Sequence, residues 1–265
     1  MVVREDPDSA AALCIPQSQH AAISGQIAAA WGNELFEAPV PRAEVIEAAA
    51  RHDDGMDDFD AEPELDPETG LPRSFMRMPF DLWLDCWRQG PSIVGDDDPY
   101  AGILVSMHGG YLLGYRTLDD PDESDAAAAW LAEQEELRDE WAGEVERLPD
   151  VAPGLGREAL ERNRALIEAW DAMSLALCMP RLPDGFDGVP AAGDSVRIEM
   201  DLIEEGTGLE GPRLVALDPW PFDAPSVDLA AQGRVLERRY EERAEMQAAL
   251  AAAEIRPLAV TLVPR

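Results

Sequence analysis

SVRIEMDLI, residues 195–203, is where the hydrophobic period of the chain changes. Before it, apolar residues recur every three or four positions; within it they alternate, as on a strand with one buried face. The alternation continues downstream. RLVALDPWPF (213–222) reads as a strand broken at Pro219, SVDLAAQGRVLERRY (226–240) holds strand-like pieces on either side of Gly233, and PLAVTLVP (257–264) reads as a last strand after a helix over 241–253.

Upstream of the change the chain reads as helical. A helix starts at Ser18 or Gln19, runs through His20, Ile23 and Ile27, and ends near Gly32-Asn33. Pro41 opens a second, PRAEVIEAAARHDD, stopped by Gly55. Residues 56–80 contain Pro63, Pro67, Gly70, Pro72 and Pro79 and read as a long loop. A short helix over 81–89 ends at Gly90-Pro91. Further helices cover 99–114, where Gly109-Gly110 mark a weak point or a close contact, 121–148 and 157–179. The whole predicts an α+β protein. Residues 1–180 form a mainly helical domain, and residues 181–265 a small, mostly antiparallel sheet packed on it through a Pro/Gly-rich turn at 180–194.

The 265 residues carry 54 Asp and Glu against 21 basic residues, every one of them arginine, for a net charge of -33. Such a balance disfavours nucleic acid, whose recognition rests on cations meeting phosphates, and disfavours anionic membranes. It is the balance of cytoplasmic proteins from salt-loving organisms, since molar salt cuts the Debye length to about 3 Å and screens self-repulsion. Cys14, Cys86 and Cys178 are isolated, so neither a disulfide framework nor a thiolate zinc site is expected. The opening MVVREDPDSAAALC lacks the pattern of a signal peptide, and no run approaches the ~18 apolar residues of a membrane span. A soluble, cytoplasmic protein is predicted, with its oligomeric state left open.

The chain has three histidines, His20, His52 and His108, each in or at the end of a predicted helix. A lone histidine on an apolar helix face is commonly a hydrogen-bonded core residue. The conjunction says more: the adjacent pair His52-Asp53 can offer nitrogen and oxygen to one divalent ion, and His20 and Asp171 from other helices complete a mixed shell with open positions for water. Asp171 lies on the stripe Leu160, Ile167, Ser174, Cys178, among Ala169, Trp170, Leu175 and Leu177. A carboxylate buried there needs a partner; an arginine or a helix N-terminus would serve as well as a metal.

The order His20…His52-Asp53…Asp171 resembles the H…HD…D signature of HD-domain metal-dependent phosphohydrolases. QSQHAAISGQIAAAWGN, AARHDDG, LDPETGLP, PYAGILVSMHGGYL and ALIEAWDAMSLALC together resemble the domain-of-unknown-function family numbered 3891, within or near that superfamily, over nearly the whole chain. The resemblance implies an HD-like helical body with His20, His52, Asp53 and Asp171 as metal ligands. His108 falls where two-metal HD enzymes place two further histidines. With one available, a mononuclear centre is favoured, His108 standing near the substrate phosphate or serving as a fifth ligand. Met56 departs from the aromatic expected shortly after the HD-Asp-Gly step, which bears on the pocket wall and not on the ligands.

Such a site would hold Mn, Fe, Zn, Mg or Ni, lower the pKa of a bound water and shield phosphate oxygens. Asp54 or Asp57 would accept or orient the water's proton, unless both are solvated loop acids. Arg51, Arg73 and Arg77 are the candidate cations for a small, phosphorylated substrate. Trp31, Trp83, Trp87 and Trp170 read as core aromatics. Gly109-Gly110 lacks the preceding strand of a phosphate-binding loop, and no GxSxG supports a serine hydrolase. The expectation is a metal-dependent hydrolase of a phosphoester or related small molecule; the alternatives are a non-catalytic HD-like binding, regulatory or structural protein and, third, oxidative chemistry at an iron centre.

Overall fold

The computed structural model describes residues 1–265. The downstream strands form as the alternation predicts: β6 (Ser195–Glu205), β7 (Arg213–Asp218), β8 (Val227–Leu236) and β9 (Ile255–Pro264), with β5 (Gly185–Pro190) pairing on β6 from within the segment read as a turn. Along β8, Val227, Leu229 and Ala231 face the core while Asp228, Ala230 and Gln232 face outward. Strands β7 and β9 run parallel, and α8 (Arg243–Ala252) lies between β8 and β9 in sequence.

The expected architecture, a helical body carrying a small C-terminal sheet, is overturned. The sheet has seven strands in the order β1-β2-β8-β9-β7-β6-β5 and curls into a half-barrel, and its first two strands come from the other end of the chain. These are β1 (Val2–Glu5) and β2 (Ala12–Ile15), antiparallel to each other with Val2 opposite Ile15. Strand β2 then pairs with β8, Cys14 opposite Arg234. Each is four residues long, too short for periodicity to separate strand from helix. The pairing that stabilises them lies more than two hundred residues away, in β8.

Where β2 ends, the edge of β8 is covered by α1 (Gln17–Ala30) instead of a strand. The Gln26 side chain accepts from Ala230 N–H at 2.9 Å and donates to Ala230 O at 2.8 Å, and Gln19 Oε1 accepts from Gln232 N–H at 2.9 Å. Two glutamines seven positions apart thus replace the ladder partners of an exposed edge. At its start α1 has Pro16 and no side-chain cap of its own, and Asp60 accepts from Gln17 N–H instead. Both contacts fix the helix that carries His20.

The remaining helices are α2 (Arg42–Arg51), α3 (Asp57–Ala61), α4 (Phe80–Gly95), α5 (Pro99–Leu113), α6 (Pro121–Val145) and α7 (Arg157–Cys178), with the two-residue strands β3 (Leu65–Asp66) and β4 (Leu71–Pro72) as a hairpin inside the segment read as a loop. Helices α5 and α6 form within the predicted ranges and are capped by aspartates: Asp98 and Asp120 accept from first-turn N–H groups, and Pro99 and Pro121 follow them. Helix α4 does not end at Gly90-Pro91. Proline there frees the carbonyl of Trp87, four residues earlier, and the indole N–H of Trp130 donates to that carbonyl at 3.3 Å. A tertiary donor thus replaces the missing backbone one, and the helix continues to Gly95.

The main apolar core runs from Val2 to Leu262 through helices and sheet, and a smaller one gathers Met1, Cys14, Leu236, Met246 and Leu250 beneath α8. Trp31 stands at the centre of the main core, in edge contact with Phe36, Trp170 and Phe222, and joins α1, α7 and the DPWPF segment. No helix is long and apolar enough to cross a membrane.

Candidate metal centre

Four helices meet where the histidines lie. His20 comes from α1, His52 and Asp53 from the end of α2, His108 from α5 and Asp171 from α7, and all five side chains are buried. The close approach of α1 and α2 depends on Gly25, where a Cβ would lie 2.5 Å from Ala50 Cβ. Gly109, beside His108, plays the same part for α4: a Cβ would lie 2.5 Å from the Trp87 ring. That contact explains the first glycine of the Gly109-Gly110 pair. The imidazoles form an edge-to-face row, His20 to His52 at 5.1 Å between centroids and His52 to His108 at 5.2 Å.

The hydrogen bonds around the rings fix which nitrogens are free. His52 Nδ1 lies 2.9 Å from Ala49 O and must donate to it, so in the neutral ring the lone pair is on Nε2, which has no hydrogen-bond partner. The Ser174 hydroxyl donates to Asp171 O at 2.8 Å, and its oxygen accepts from His20 Nδ1–H at 3.0 Å. His20 Nε2 then faces Asp53 Oδ2 at 2.7 Å. A lone pair and a carboxylate oxygen at that separation require a proton or a metal ion to join them. His108 has no hydrogen-bond partner for either ring nitrogen.

The open nitrogens converge on the two carboxylates. His52 Nε2 is 3.4 Å from Asp171 Oδ1 and 3.7 Å from Asp53 Oδ2, and His108 Nε2 is 3.5 Å from Asp171 Oδ2. Ligand atoms held about 2.1 Å from one ion at tetrahedral or octahedral angles stand roughly 3 to 3.5 Å apart. The atoms form two overlapping groups, His20-His52-Asp53 and His52-His108-Asp171, each able to hold a metal ion. Because Nδ1 of His52 is committed to Ala49, the two groups share one lone pair, and the arrangement suits a single ion better than two.

Electrostatics hold the cluster in opposite charge states. Burial alone would lower the pKa of His52, but Asp53 and Asp171 beside it outweigh that and raise it to about 9. Burial works to raise both carboxylates; His52 and His20 nevertheless keep Asp53 below the ordinary range, and His108 and His52 keep Asp171 well below it. No arginine and no helix N-terminus partners Asp171. The basic side chains within 4.0 Å of it are the three histidines.

A cavity of about 200 Å³ opens onto Asp53 and Asp171. Its walls include Gln17, Met56, Met78, Trp83, Trp87 and Arg116. Trp83 and Trp87 are therefore cavity walls as well as core aromatics. A wider groove of about 700 Å³, beside Met107 and Arg138, lies between α5, α6 and α7 and reaches none of the five residues.

The other sequence candidates stand outside this cavity. Asp54 accepts from Arg51 Nε at 2.6 Å, and burial, only partly offset by Arg51, raises its pKa; Asp57 is exposed. Arg51 is held among Glu47, Asp54 and Asp97, Arg73 pairs with Glu64, and Arg77 pairs with Asp66 and Glu68. With two to three acids for every arginine, cations in acidic loops are neutralised by their neighbours. Arg116 and Gln17 do line the cavity, and sequence reasoning missed both. Arg116 follows α5 without any motif, and Gln17 could have been found only from its place one turn before His20.

No curated protein and no solved structure matches this chain. Residues 1–238 match the family described as "Protein of unknown function (DUF3891)", and the chain belongs to that family.

Proposed function

We propose that this protein is a metal-dependent hydrolase of a small phosphoester. The observation that carries the reading is the pair of open nitrogens: His52 Nε2 and His108 Nε2 are buried without hydrogen-bond partners, and they face two carboxylates that line a cavity. Buried polar atoms are ordinarily satisfied, and a divalent ion satisfies these. His20, His52, Asp53 and Asp171 would hold it, with His108 as the fifth ligand, and the resemblance to HD-domain phosphohydrolases supports the same set. A bound ion supplies an acidified water and charge stabilisation at phosphoryl oxygens.

The residues around the ligands prepare them. Ala49 O and Ser174 Oγ orient His52 and His20 through their Nδ1–H groups, as outer partners of metal-binding histidines do. Gln17 donates to Asp53 Oδ2 at 3.1 Å and fixes the rotation of that carboxylate. A non-catalytic protein with a purely structural ion is the competing reading. What favours catalysis is that Asp53 and Asp171 border a cavity instead of being sealed in the core.

The test is elemental analysis of protein purified in high salt, beside Asp53→Ala, followed by a screen of small phosphomonoesters. Wild type is expected to retain a stoichiometric divalent ion and release phosphate, and the variant to lose both. Equal metal content in the two would remove the His-Asp doublet from the centre.

A further inference from the structure

We propose that Arg116 and the aromatic wall beside it form an anion-binding subsite, selecting a small phosphate monoester whose remaining group is compact and apolar. The proposal rests on the hydrolase reading above and names the substrate class of that same cavity. Its first support is that Arg116 has no carboxylate within 4.0 Å, whereas Arg51, Arg73 and Arg77 are all paired with acids. Arg42, Arg138 and other arginines also lack such a partner, but among the arginines only Arg116 lines the cavity that Asp53 and Asp171 border.

Arg116 is also held in place. Its Nη2 donates to Met78 O at 3.2 Å, and its guanidinium carbon lies 4.9 Å from the Trp83 ring centroid and 6.0 Å from that of Phe80. Stacking and one hydrogen bond orient the group and leave most of its five N–H donors unused. Burial lowers the pKa of Arg116, with Glu123 only partly opposing it, so an anion at this point recovers electrostatic energy that folding left unpaired. A second polar group points to a ligand: Gln17 is buried, donates its amide N–H to Asp53, and has no partner for Oε1, which suits a hydroxyl entering the cavity.

The rest of the wall sets size and polarity. Met56, Phe75, Met78, Trp83, Trp87 and Leu175 are apolar or aromatic. The space is about 200 Å³. A dry apolar cavity of about 150 Å³ admits benzene, and pockets for larger ligands begin at roughly 300 Å³. A single ring or short alkyl chain with its phosphate fits; a nucleotide does not.

Calorimetric titration of the metal-loaded protein in high salt tests this with phenylphosphonate, whose P–C bond resists hydrolysis. It should bind at least about tenfold more tightly than adenosine monophosphate, a comparison that needs no variant. Arg116→Met should weaken phenylphosphonate about 10- to 100-fold with metal content unchanged, as expected for losing a charge-assisted hydrogen bond, and Arg116→Lys should restore part of the loss. Equal affinity of Arg116→Met and wild type, or adenosine monophosphate binding as tightly as phenylphosphonate, overturns the proposal. The two readings fail separately. If wild type holds no metal but still binds phenylphosphonate through Arg116, the hydrolase reading falls and the anion subsite stands.

Discussion

At the C-terminal end of α7, the buried guanidinium of Arg213 donates from Nε and Nη2 to Glu205 at 2.8 and 2.6 Å. From Nη1 it donates to the carbonyls of Leu177 and Met179 at 3.2 and 2.7 Å, and from Nη2 to Pro180 O at 3.3 Å. Two turns earlier on the same helix, Asp171 is also buried, yet the imidazole nitrogens nearest it stand 3.4 and 3.5 Å away. Every nitrogen of the Arg213 guanidinium is bonded, and its charge closes a helix end whose last carbonyls have no intrahelical partner. Around Asp171, lone pairs are left open. The chain completes the bonds of Arg213, whereas beside Asp171 it leaves His52 Nε2 and His108 Nε2 without a partner.

The largest expected effect follows from the open cluster. A saturating divalent ion, at about a thousand times its Kd, should stabilise the protein by about 4 kcal/mol, and Asp171→Asn should abolish that increment as well as lowering metal-free stability, since the histidines no longer face a carboxylate. Denaturant unfolding with and without a chelator measures both. An Asn variant that gains as much from metal as wild type does would place Asp171 with the closed cluster. The next effect belongs to Arg213. Arg213→Met should cost about 3 kcal/mol whether or not metal is present, with metal content unchanged. The cost falls at the lower end for a broken buried pair because Glu205 is partly exposed and keeps Arg4 as a partner at 2.7 Å. A variant that also lost its metal would show that the two clusters are coupled along α7.

The same contrast bears on what the sequence disclosed. Helices α5, α6 and α7 were legible because their signal is local, an apolar residue every three or four positions, as in the Leu160-to-Cys178 stripe along α7. Strands β1 and β2 were not, since four residues carry no period and their partner β8 is distant in sequence. The passage of α4 through Pro91 depends on an indole from α6, a tertiary contact no local rule contains. The ligand-type residues could be named because histidine is scarce and their order resembles a known signature. Arg116 could not, because it is singled out by the cavity it lines, and only the fold brings it beside Asp53 and Asp171.

The smallest effect is read as a sign. The metal-free folded chain holds the His52 pKa near 9, against 6.5 for the ordinary imidazole. The stabilisation from this proton is complete below about pH 6.5 and is lost as pH rises toward 9, because above 6.5 the unfolded chain has already released its proton. Asp53 and Asp171, held below the ordinary carboxylate range, contribute above that range and lose their contribution only in acid, so they stay constant across this window. Metal-free stability should therefore fall between pH 6.5 and 9. Metal binding requires the unprotonated Nε2 of His52, so the increment produced by metal should grow over the same interval. Denaturant midpoints across this pH range, with chelator and with saturating metal, should converge at the acid end and separate at the alkaline end. Parallel curves would remove His52 from the ligand set, since a nitrogen that binds metal cannot also keep its proton.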